Sequence, residues 1–269
     1  MTKQEKLLLK QAMRFLVADK RPRAIRKILK AVARDEVTWQ ECTFEVYPGD
    51  NYSDRIFWLN ERPDELRTIT ALLNIVRGQD ILFFDVGSNT GIFSILVARH
   101  ASDSSEIRAF DPHPEMLKRF NRNVELNDLS ARISVEQCAL SEDDGTAELR
   151  VFAANYGRST LRDDDPKEAM EVLTVPTRKI TDFVPVAAQD RLCVLKIDVE
   201  GFEDRVMRPL LDDDKKLAWF DHVILEVVQK ESWQYDLVGE LEAKGFRAGK
   251  LMEGNLLLSR VDGSEGVTG

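Results

Sequence analysis

Long apolar runs are missing from this chain of 269 residues. A helix that crosses a membrane needs ~18 or more consecutive apolar residues. The apolar run near the start, residues 7–9, is interrupted by Lys10 and Arg14, and no small-residue cleavage site follows it. We therefore expect neither a membrane-spanning helix nor a secretory signal.

Cysteine is scarce as well. The three cysteines, Cys42, Cys138 and Cys193, lie far apart in the sequence. An odd, widely spaced set gives neither a disulfide framework nor the paired spacing of a zinc site. Cys138 and Cys193 lie in apolar runs, where a reduced thiol packs as a small hydrophobic group. This usage favours the reducing cytoplasm.

The net charge of −9 is distributed unevenly along the chain. Residues 1–34 contain eleven Lys or Arg and two acidic residues, which gives +9 there and −18 in the remainder. The acidic remainder does not interleave basic and aromatic residues, so no nucleic-acid partner is expected. We predict a basic helical extension over residues 1–36, broken near residues 21–23. Two roles stay open for it: peripheral contact with a membrane or a second copy, or a solvated capping helix.

From residue 79 onward, apolar strand-like runs alternate with helical spacing. The predicted strands are 81–86, 107–111, 133–140, 192–197 and 223–228, and the predicted helices include 63–76, 92–100 and 114–126. This alternation is typical of an α/β protein with a doubly wound, mostly parallel sheet. Residues 246–259 predict an antiparallel hairpin at one edge, turning near Glu253 and Gly254.

The remaining segments complete the predicted organisation. Residues 37–78 form a lead-in, with short strands and turns over 38–59 before the helix at 63–76. Residues 79–260 form the ligand-binding domain, and 153–176 lack a clean period and are interpreted as an insertion over the sheet. The Gly-containing end, residues 261–269, is expected to be a flexible tail.

The dinucleotide fingerprint G-x-G-x-x-G is absent, although a glycine turn follows the first strand of the domain. The turn reads Asp85-Val86-Gly87-Ser88-Asn89-Thr90-Gly91, with Asn89 in place of the middle glycine and the last glycine one residue early. A pyrophosphate needs the bare helix N-terminus that those glycines provide. A ligand with a ribose and an amino acid group, but no phosphate, does not. We predict cofactor contacts at Asp85, Gly87, Ser88, Asn89 and Gly91.

The next two strands supply further candidate cofactor contacts. Asp111 ends the second strand, 24 residues after Gly87, where a carboxylate accepts hydrogen bonds from both hydroxyls of a ribose. Pro112 follows it. NAD would use the same acid, so Asp111 alone does not choose the cofactor. The third strand ends at Cys138 and Ala139, where small apolar residues suit an adenine ring.

The fourth strand ends in three alternating ionisable residues, Lys196, Asp198 and Glu200. Alternation places them on one side of the strand if it continues that far. They form either a substrate-activating cluster or a structural brace, in which the lysine pairs with a glutamate at the turn. The Asp198 and Glu200 carboxylates could instead bind Mg²⁺, although one short segment supplies few ligands, and we predict no metal site. Glu226, in the fifth strand, either joins the cluster or is a satisfied strand-end carboxylate.

At these residues the chain resembles the FkbM family of methyltransferases, from about residue 54 to 259. Six segments carry the resemblance: 84–91, 109–112, 123–127, 139–141, 157–161 and above all Leu195-Lys196-Ile197-Asp198-Val199-Glu200-Gly201. Ser88 and Asp111 depart from the alanine and glutamate usual in the family, and both keep size or charge. The resemblance implies a Rossmann-like class I methyltransferase fold and S-adenosylmethionine as cofactor. It implies methylation of a hydroxyl on a small-molecule or glycan acceptor, typically a sugar or a secondary metabolite.

Roles follow from that chemistry. An alcohol is a weak nucleophile, so a positioned base helps as the oxygen–carbon bond forms. Asp198, also expected beside the cofactor, is the predicted base, Glu200 the second candidate, and Lys196 the residue that orients the acceptor. His113 is a weaker candidate. The predicted acceptor contacts are Tyr156, Arg158, Ser159 and Glu226.

Two other functions remain open at the level of the sequence. A nicotinamide-dependent oxidoreductase has a similar topology, but the missing fingerprint disfavours it. A non-catalytic module that kept the fold and lost turnover is the other. The presence of Gly87, Gly91, Asp111 and Asp198 disfavours that alternative.

Overall fold

The computed structural model describes residues 2–18, 24–25, 28–29, 32, 34–152, 156–163, 169–186 and 190–261. The predicted break near residues 21–23 and all but the first residue of the predicted tail lie outside these ranges.

The architecture is built on one seven-stranded sheet. Five strands are parallel: β3 (Ile81–Val86), β4 (Glu106–Phe110), β5 (Ile133–Glu136), β9 (Leu192–Ile197) and β10 (His222–Glu226). The hairpin β11 (Phe246–Met252) and β12 (Asn255–Arg260) adds two antiparallel strands, and the order is β11-β12-β10-β9-β3-β4-β5. The predicted doubly wound sheet and its edge hairpin are confirmed.

Each face of the sheet packs against a separate layer of helices. Side chains alternate along a strand, so Ile81 and Phe83 of β3 enter one core while Leu82, Phe84 and Val86 enter the other. All six residues of β3 are buried, as expected for a central parallel strand. The helices of the sheet are α3 (Leu66–Val76), α4 (Ile92–His100), α5 (Pro114–Leu126), α6 (Glu203–Leu211), α7 (Asp214–Leu217) and α8 (Leu237–Ala243).

The prediction of a third strand over residues 133–140 is wrong in part, because a second sheet of three strands takes up its end. Residues 133–140 form two strands, β5 and β6 (Ala139–Leu140), and β6 leaves the central sheet to pair with β8 (Glu171–Arg178). β8 also pairs with β7 (Gly145–Val151), so the prediction of an irregular insertion is wrong for residues 171–176. The apolar core of this sheet, which includes Leu149, Val151 and Val175, explains why it forms.

The lead-in segment contains a helix that the sequence interpretation missed. β1 (Asp35–Trp39) and β2 (Cys42–Val46) form an antiparallel hairpin, in keeping with the short strands predicted there, but residues 52–59 belong to α2 (Tyr52–Asn60) rather than to strands and turns. Asn51 caps α2 by accepting a hydrogen bond from the Ser53 N–H. Phe57 and Trp58 are fully buried in the core that also contains Ile81 and Phe83. The burial of these two side chains in the tertiary structure therefore stabilises the helical conformation of α2.

The basic segment is anchored to the fold where it is described. In α1 (Lys3–Ala18), Met13 is fully buried within the same core, and the Lys10 Nζ donates to Glu61 Oε1 at 2.8 Å. Leu29 and Val32 are buried in that core too. The described part of the predicted extension therefore packs on the fold, and contact with a membrane or a second copy stays a prediction.

Met13→Ala should destabilise the protein by about 2–5 kcal/mol, because it removes a fully buried side chain and leaves a cavity. Leu8→Ala, on the same helix but 59% exposed, is the control and should change stability by about 0.5 kcal/mol or less. Chemical denaturation of both variants measures the difference. Equal, small effects would mean that α1 is peripheral.

Among the described residues, no helix is both long enough and apolar enough to span a membrane.

Candidate active site

The site lies where the strand order reverses, between β3 and β9. Gly87 follows β3 with φ +77°, and its N–H donates to the Phe110 carbonyl at 3.0 Å. A Cβ on Gly87 would lie 1.8 Å from the backbone oxygen of Asp198, which follows β9. Only glycine fits this turn, which brings the two sequence motifs into contact.

The second glycine of the turn makes room for a neighbouring helix. Gly91 caps α4 with φ +85°, and a Cβ there would lie 1.7 Å from the Phe120 ring of α5. Between the glycines, the Asn89 amide oxygen accepts a hydrogen bond from Asn51 Nδ2 at 2.8 Å. The motif therefore has two roles. Gly91 lets α4 and α5 pack closely, and Gly87 keeps the cleft open at the other end.

Asp111 is a buried carboxylate held by the backbone. Its two oxygens accept hydrogen bonds from the N–H groups of Asn89, at 2.9 Å, and His113, at 2.8 Å. Burial raises the pKa of Asp111 to about 7, against these hydrogen bonds, which lower it. The glycine turn and the second strand end therefore form one hydrogen-bonded unit.

Two chambers open from this unit. The Asp111 chamber, of roughly 50 Å³, has mostly apolar walls that include Pro112, Ala139, Leu140 and Phe202. The Glu226 chamber, of roughly 230 Å³, is lined by polar residues that include Glu65, Asp85, Lys196, Glu226 and Asn255. The two chambers share the lining residues Gly87, Asn89, Gly157, Asp198 and Glu200. A ligand in the Asp111 chamber can therefore meet a second one at Asp198.

Lys196 forms an ion pair with Asp198, whereas the alternative left open by the sequence paired the lysine with a glutamate. Lys196 is 2% exposed, and its Nζ lies 3.1 Å from Asp198 Oδ2. Burial alone would lower the pKa of Lys196, but Asp198, Glu65 and Asp85 raise it above its usual value. Lys196 is thus a fixed positive charge below the Phe93 ring, whose centre is 4.5 Å away.

Glu200 lies at the junction in a left-handed conformation, with φ +56°. Its Oε2 accepts a hydrogen bond from Gln229 Nε2 at 2.6 Å. Burial, followed by the charge of Asp198, raises the pKa of Glu200 to about 7, although Arg158 opposes the shift. A carboxyl with such a pKa can exchange protons at neutral pH.

Glu226 faces Asn255 across the pairing of β10 and β12. Asn255 is 2% exposed, and its Nδ2 donates to Glu65 Oε1 at 2.8 Å. Burial is the main cause that raises the pKa of Glu65 to about 7 and that of Glu226 to about 10. This wall of the Glu226 chamber therefore carries protons that a suitable ligand can displace.

The structure brings most of the predicted residues to the cleft. Tyr156 and Ser159, predicted to contact the acceptor, line the Asp111 chamber, whereas Arg158 lines neither chamber and lies near Glu200. Cys138 is buried behind Ala139 and lines neither chamber. The sequence interpretation missed the lining residues Phe202, Glu65 and Asn255.

Within the described ranges, no three His, Cys, Asp or Glu side chains are arranged so that they could hold a metal ion. The charges of Asp198 and Asp85 act on the Lys196 ammonium group.

A seven-stranded sheet of this order, with a glycine turn after β3 and an acid after β4, defines a class I methyltransferase fold. The model of the FkbM methyltransferase domain matches residues 85–248. The chain belongs to this family, and it is a methyltransferase.

Two curated relatives are methyltransferases. "Methyltransferase 1" of Beauveria bassiana (strain ARSEF 2860) is 30% identical over 184 residues, which cover 62% of this chain and 72% of that protein. "Methyltransferase sdnD" of Sordaria araneosa is 26% identical over 189 residues, covering 60% and 72%. Among solved structures, the tRNA (uracil-54, C5)-methyltransferase of Pyrococcus abyssi, in complex with S-adenosyl-L-homocysteine, has a TM-score of 0.43 and 11% identity. That match covers 85% of this chain and 44% of the other.

Proposed function

We propose that the protein transfers a methyl group from S-adenosylmethionine to a hydroxyl of a sugar or secondary metabolite. The observation that carries this proposal is the pair of chambers joined at Gly87 and Asp198. One chamber has the buried Asp111 and apolar walls, and the other is larger and lined by acids. Such a pair suits a nucleoside-containing donor beside a separate acceptor.

The residues of the Asp111 chamber fit the adenosine part of the cofactor. The Asp111 carboxylate can accept hydrogen bonds from both ribose hydroxyls, and Ala139, Leu140 and Phe202 offer apolar contact for a flat ring. The Asn89 side chain, bonded to Asn51 and packed near Gly157, covers the turn where a dinucleotide would place its pyrophosphate. These contacts favour S-adenosylmethionine over a nicotinamide dinucleotide.

When bound, S-adenosylmethionine supplies a methyl group already activated on a positively charged sulfur. The protein must align the acceptor, exclude water and receive a proton. We assign the proton to Asp198, with Glu200 as the second candidate, because both line the junction of the chambers. Lys196 holds the Asp198 carboxylate in place and stabilises negative charge that develops on the acceptor oxygen.

We also propose a cytoplasmic location, on cysteine usage. The three cysteines are free thiols and are buried. A reducing compartment keeps such thiols unpaired.

Asp111→Ala should weaken binding of S-adenosylhomocysteine by about 1.5–3 kcal/mol, because the ribose hydroxyls lose their acceptor. Asp111→Asn keeps one acceptor oxygen and should lose less. Calorimetric titration measures both affinities, and circular dichroism confirms the fold, since the variants also unpair the N–H groups of Asn89 and His113. A folded Asp111→Ala variant with wild-type affinity would remove Asp111 from the cofactor site.

A further inference from the structure

Glu65, Glu226 and Asn255 line the Glu226 chamber, and together they are called its wall here. Glu226 is the last residue of β10 and pairs with Asn255, the first residue of β12. Asn255 is buried and donates from Nδ2 to Glu65 Oε1 at 2.8 Å. The three residues therefore line the same chamber, and Asn255 adjoins Glu226 by strand pairing and Glu65 by its hydrogen bond.

Two acceptor atoms on this wall lack a partner. Asn255 Oδ1 and Glu226 Oε2 are both buried, and neither has a hydrogen-bond partner among the described residues. Because Asn255 Nδ2 is already used by Glu65, the amide oxygen is the atom left for a ligand. Buried polar atoms are rarely left unsatisfied in native proteins. The wall thus calls for a ligand that donates several hydrogen bonds.

The charge of the chamber defines that ligand further. Seven acidic residues line it, against one basic residue, Lys196. Lys196 is committed to its ion pair with Asp198, and Glu253 is paired with Arg67. No Lys or Arg of the described chain makes an ion pair with Glu65 or Glu226. Because burial raises the pKa of Glu65 to about 7 and that of Glu226 to about 10, these carboxyls hold protons at neutral pH, and a cation can displace them. An anionic acceptor, such as a phosphorylated sugar, offers no such compensation.

A protonated amine satisfies both conditions, because it carries a positive charge and three N–H donors. A hydroxyl is neutral and offers one donor. We propose that Glu65, Glu226 and Asn255 bind an ammonium group of the methyl acceptor. The acceptor is then an amino sugar or amino alcohol whose hydroxyl faces Asp198. This inference rests on the function proposed above.

Methyl transfer to the acceptor forms one bond, breaks another and moves one proton. The hydroxyl oxygen forms a bond to the methyl carbon as the bond between that carbon and sulfur breaks, and the leaving group is a neutral thioether. The hydroxyl proton passes to the Asp198 carboxylate. The ammonium group keeps its protons throughout, and so the acid wall binds without taking part in the transfer.

S-adenosylmethionine carries an ammonium group of its own, so the test has two arms. In the first, calorimetry measures S-adenosylhomocysteine affinity for the wild type and for Glu226→Gln, Glu65→Gln and Glu253→Gln. In the second, each protein is saturated with S-adenosylhomocysteine and titrated with methyl glucosaminide and with its N-acetylated counterpart. The two probes differ at the amine, which is charged in one and neutral in the other. Melting temperatures establish that each variant is folded.

We expect wild-type protein to bind methyl glucosaminide at least about tenfold more tightly than the N-acetyl probe. Glu226→Gln and Glu65→Gln should each remove most of this preference and leave S-adenosylhomocysteine affinity within about twofold. Glu253→Gln is the matched control, because its carboxylate is already paired with Arg67. It should keep the preference.

Equal binding of the two probes, or binding of neither, overturns the ammonium site while leaving the methyltransferase function intact. A loss of S-adenosylhomocysteine affinity in the Glu226 and Glu65 variants assigns the wall to the ammonium group of the methyl donor, which also overturns it. Failure of the wild type to bind S-adenosylhomocysteine overturns the proposed function itself, and this inference with it.

Discussion

Asp198→Asn should slow methyl transfer by about 10²–10⁴-fold, the usual contribution of positioned proton transfer. The amide keeps the shape of the side chain but cannot accept the hydroxyl proton. Binding of S-adenosylhomocysteine should stay near that of the wild type, because the side chain at 198 is assigned to the acceptor's proton rather than to the ribose. Single-turnover rates with labelled S-adenosylmethionine, divided by the folded fraction, measure the effect.

The same substitution breaks the ion pair with buried Lys196, so the melting temperature should also fall. If Asp198 only braces the turn, stability alone drops and the rate per folded molecule stays near the wild-type value. Reporting both quantities on one variant separates the two roles.

The pH dependence provides an internal control on this assignment. The wild-type rate should rise with pH through about 7, because Glu200, whose pKa burial raises to that value, becomes negatively charged beside Asp198. Glu200→Gln should flatten the rise and cost less than Asp198→Asn. A larger loss in Glu200→Gln would make Glu200 the base.

Gly87→Ala should be the most damaging single substitution in the cleft. The added Cβ would lie 1.8 Å from the Asp198 backbone oxygen, so the ends of β3 and β9 must move apart. The residue would also be held at φ +77°, which costs about 1–2 kcal/mol for a side chain other than glycine. We expect a total loss of about 3 kcal/mol or more, with S-adenosylhomocysteine affinity reduced by at least about 10²-fold.

Gly78→Ala separates the collision from the backbone strain. Gly78 has a similar φ, +69°, but no atom lies within 4 Å of its Cβ position. Gly78→Ala should lose only about 1–2 kcal/mol of stability, the cost of a left-handed residue other than glycine. Its affinity for the cofactor should not change. Calorimetry and thermal unfolding of the two variants test this. Matching losses would show that the approach of Gly87 to Asp198 does not matter.

The sequence predicted well those parts of the fold in which a single local sequence pattern determines the structure. Residues 81–86 are apolar without a break because both faces of that strand are covered, and the helix at 92–100 follows a glycine turn. The helix α2 was missed because Phe57 and Trp58 resemble a strand by propensity. Its cap, Asn51, ends the stretch Pro48-Gly49-Asp50-Asn51, which is typical of a turn.

The glycine turn and Asp111 were predictable because they lie at strand ends, which meet at one edge of a parallel sheet. The contact between Glu65 and Asn255 in the Glu226 chamber was not predictable. Glu65 and Asn255 are 190 residues apart in the sequence and meet only because β12 pairs with β10. Neither lies in a motif, and no spacing in the sequence connects them.

The hairpin of β11 and β12 also fixes the order in which the site is completed during synthesis. Asn255 is supplied by β12, and Glu253, in the turn before it, accepts hydrogen bonds from the first N–H groups of α3. A nascent chain that ends before this hairpin already holds the glycine turn and Asp111. The surface that we propose to bind the acceptor also needs this hairpin, so it forms only after the hairpin has left the ribosome and docked on α3.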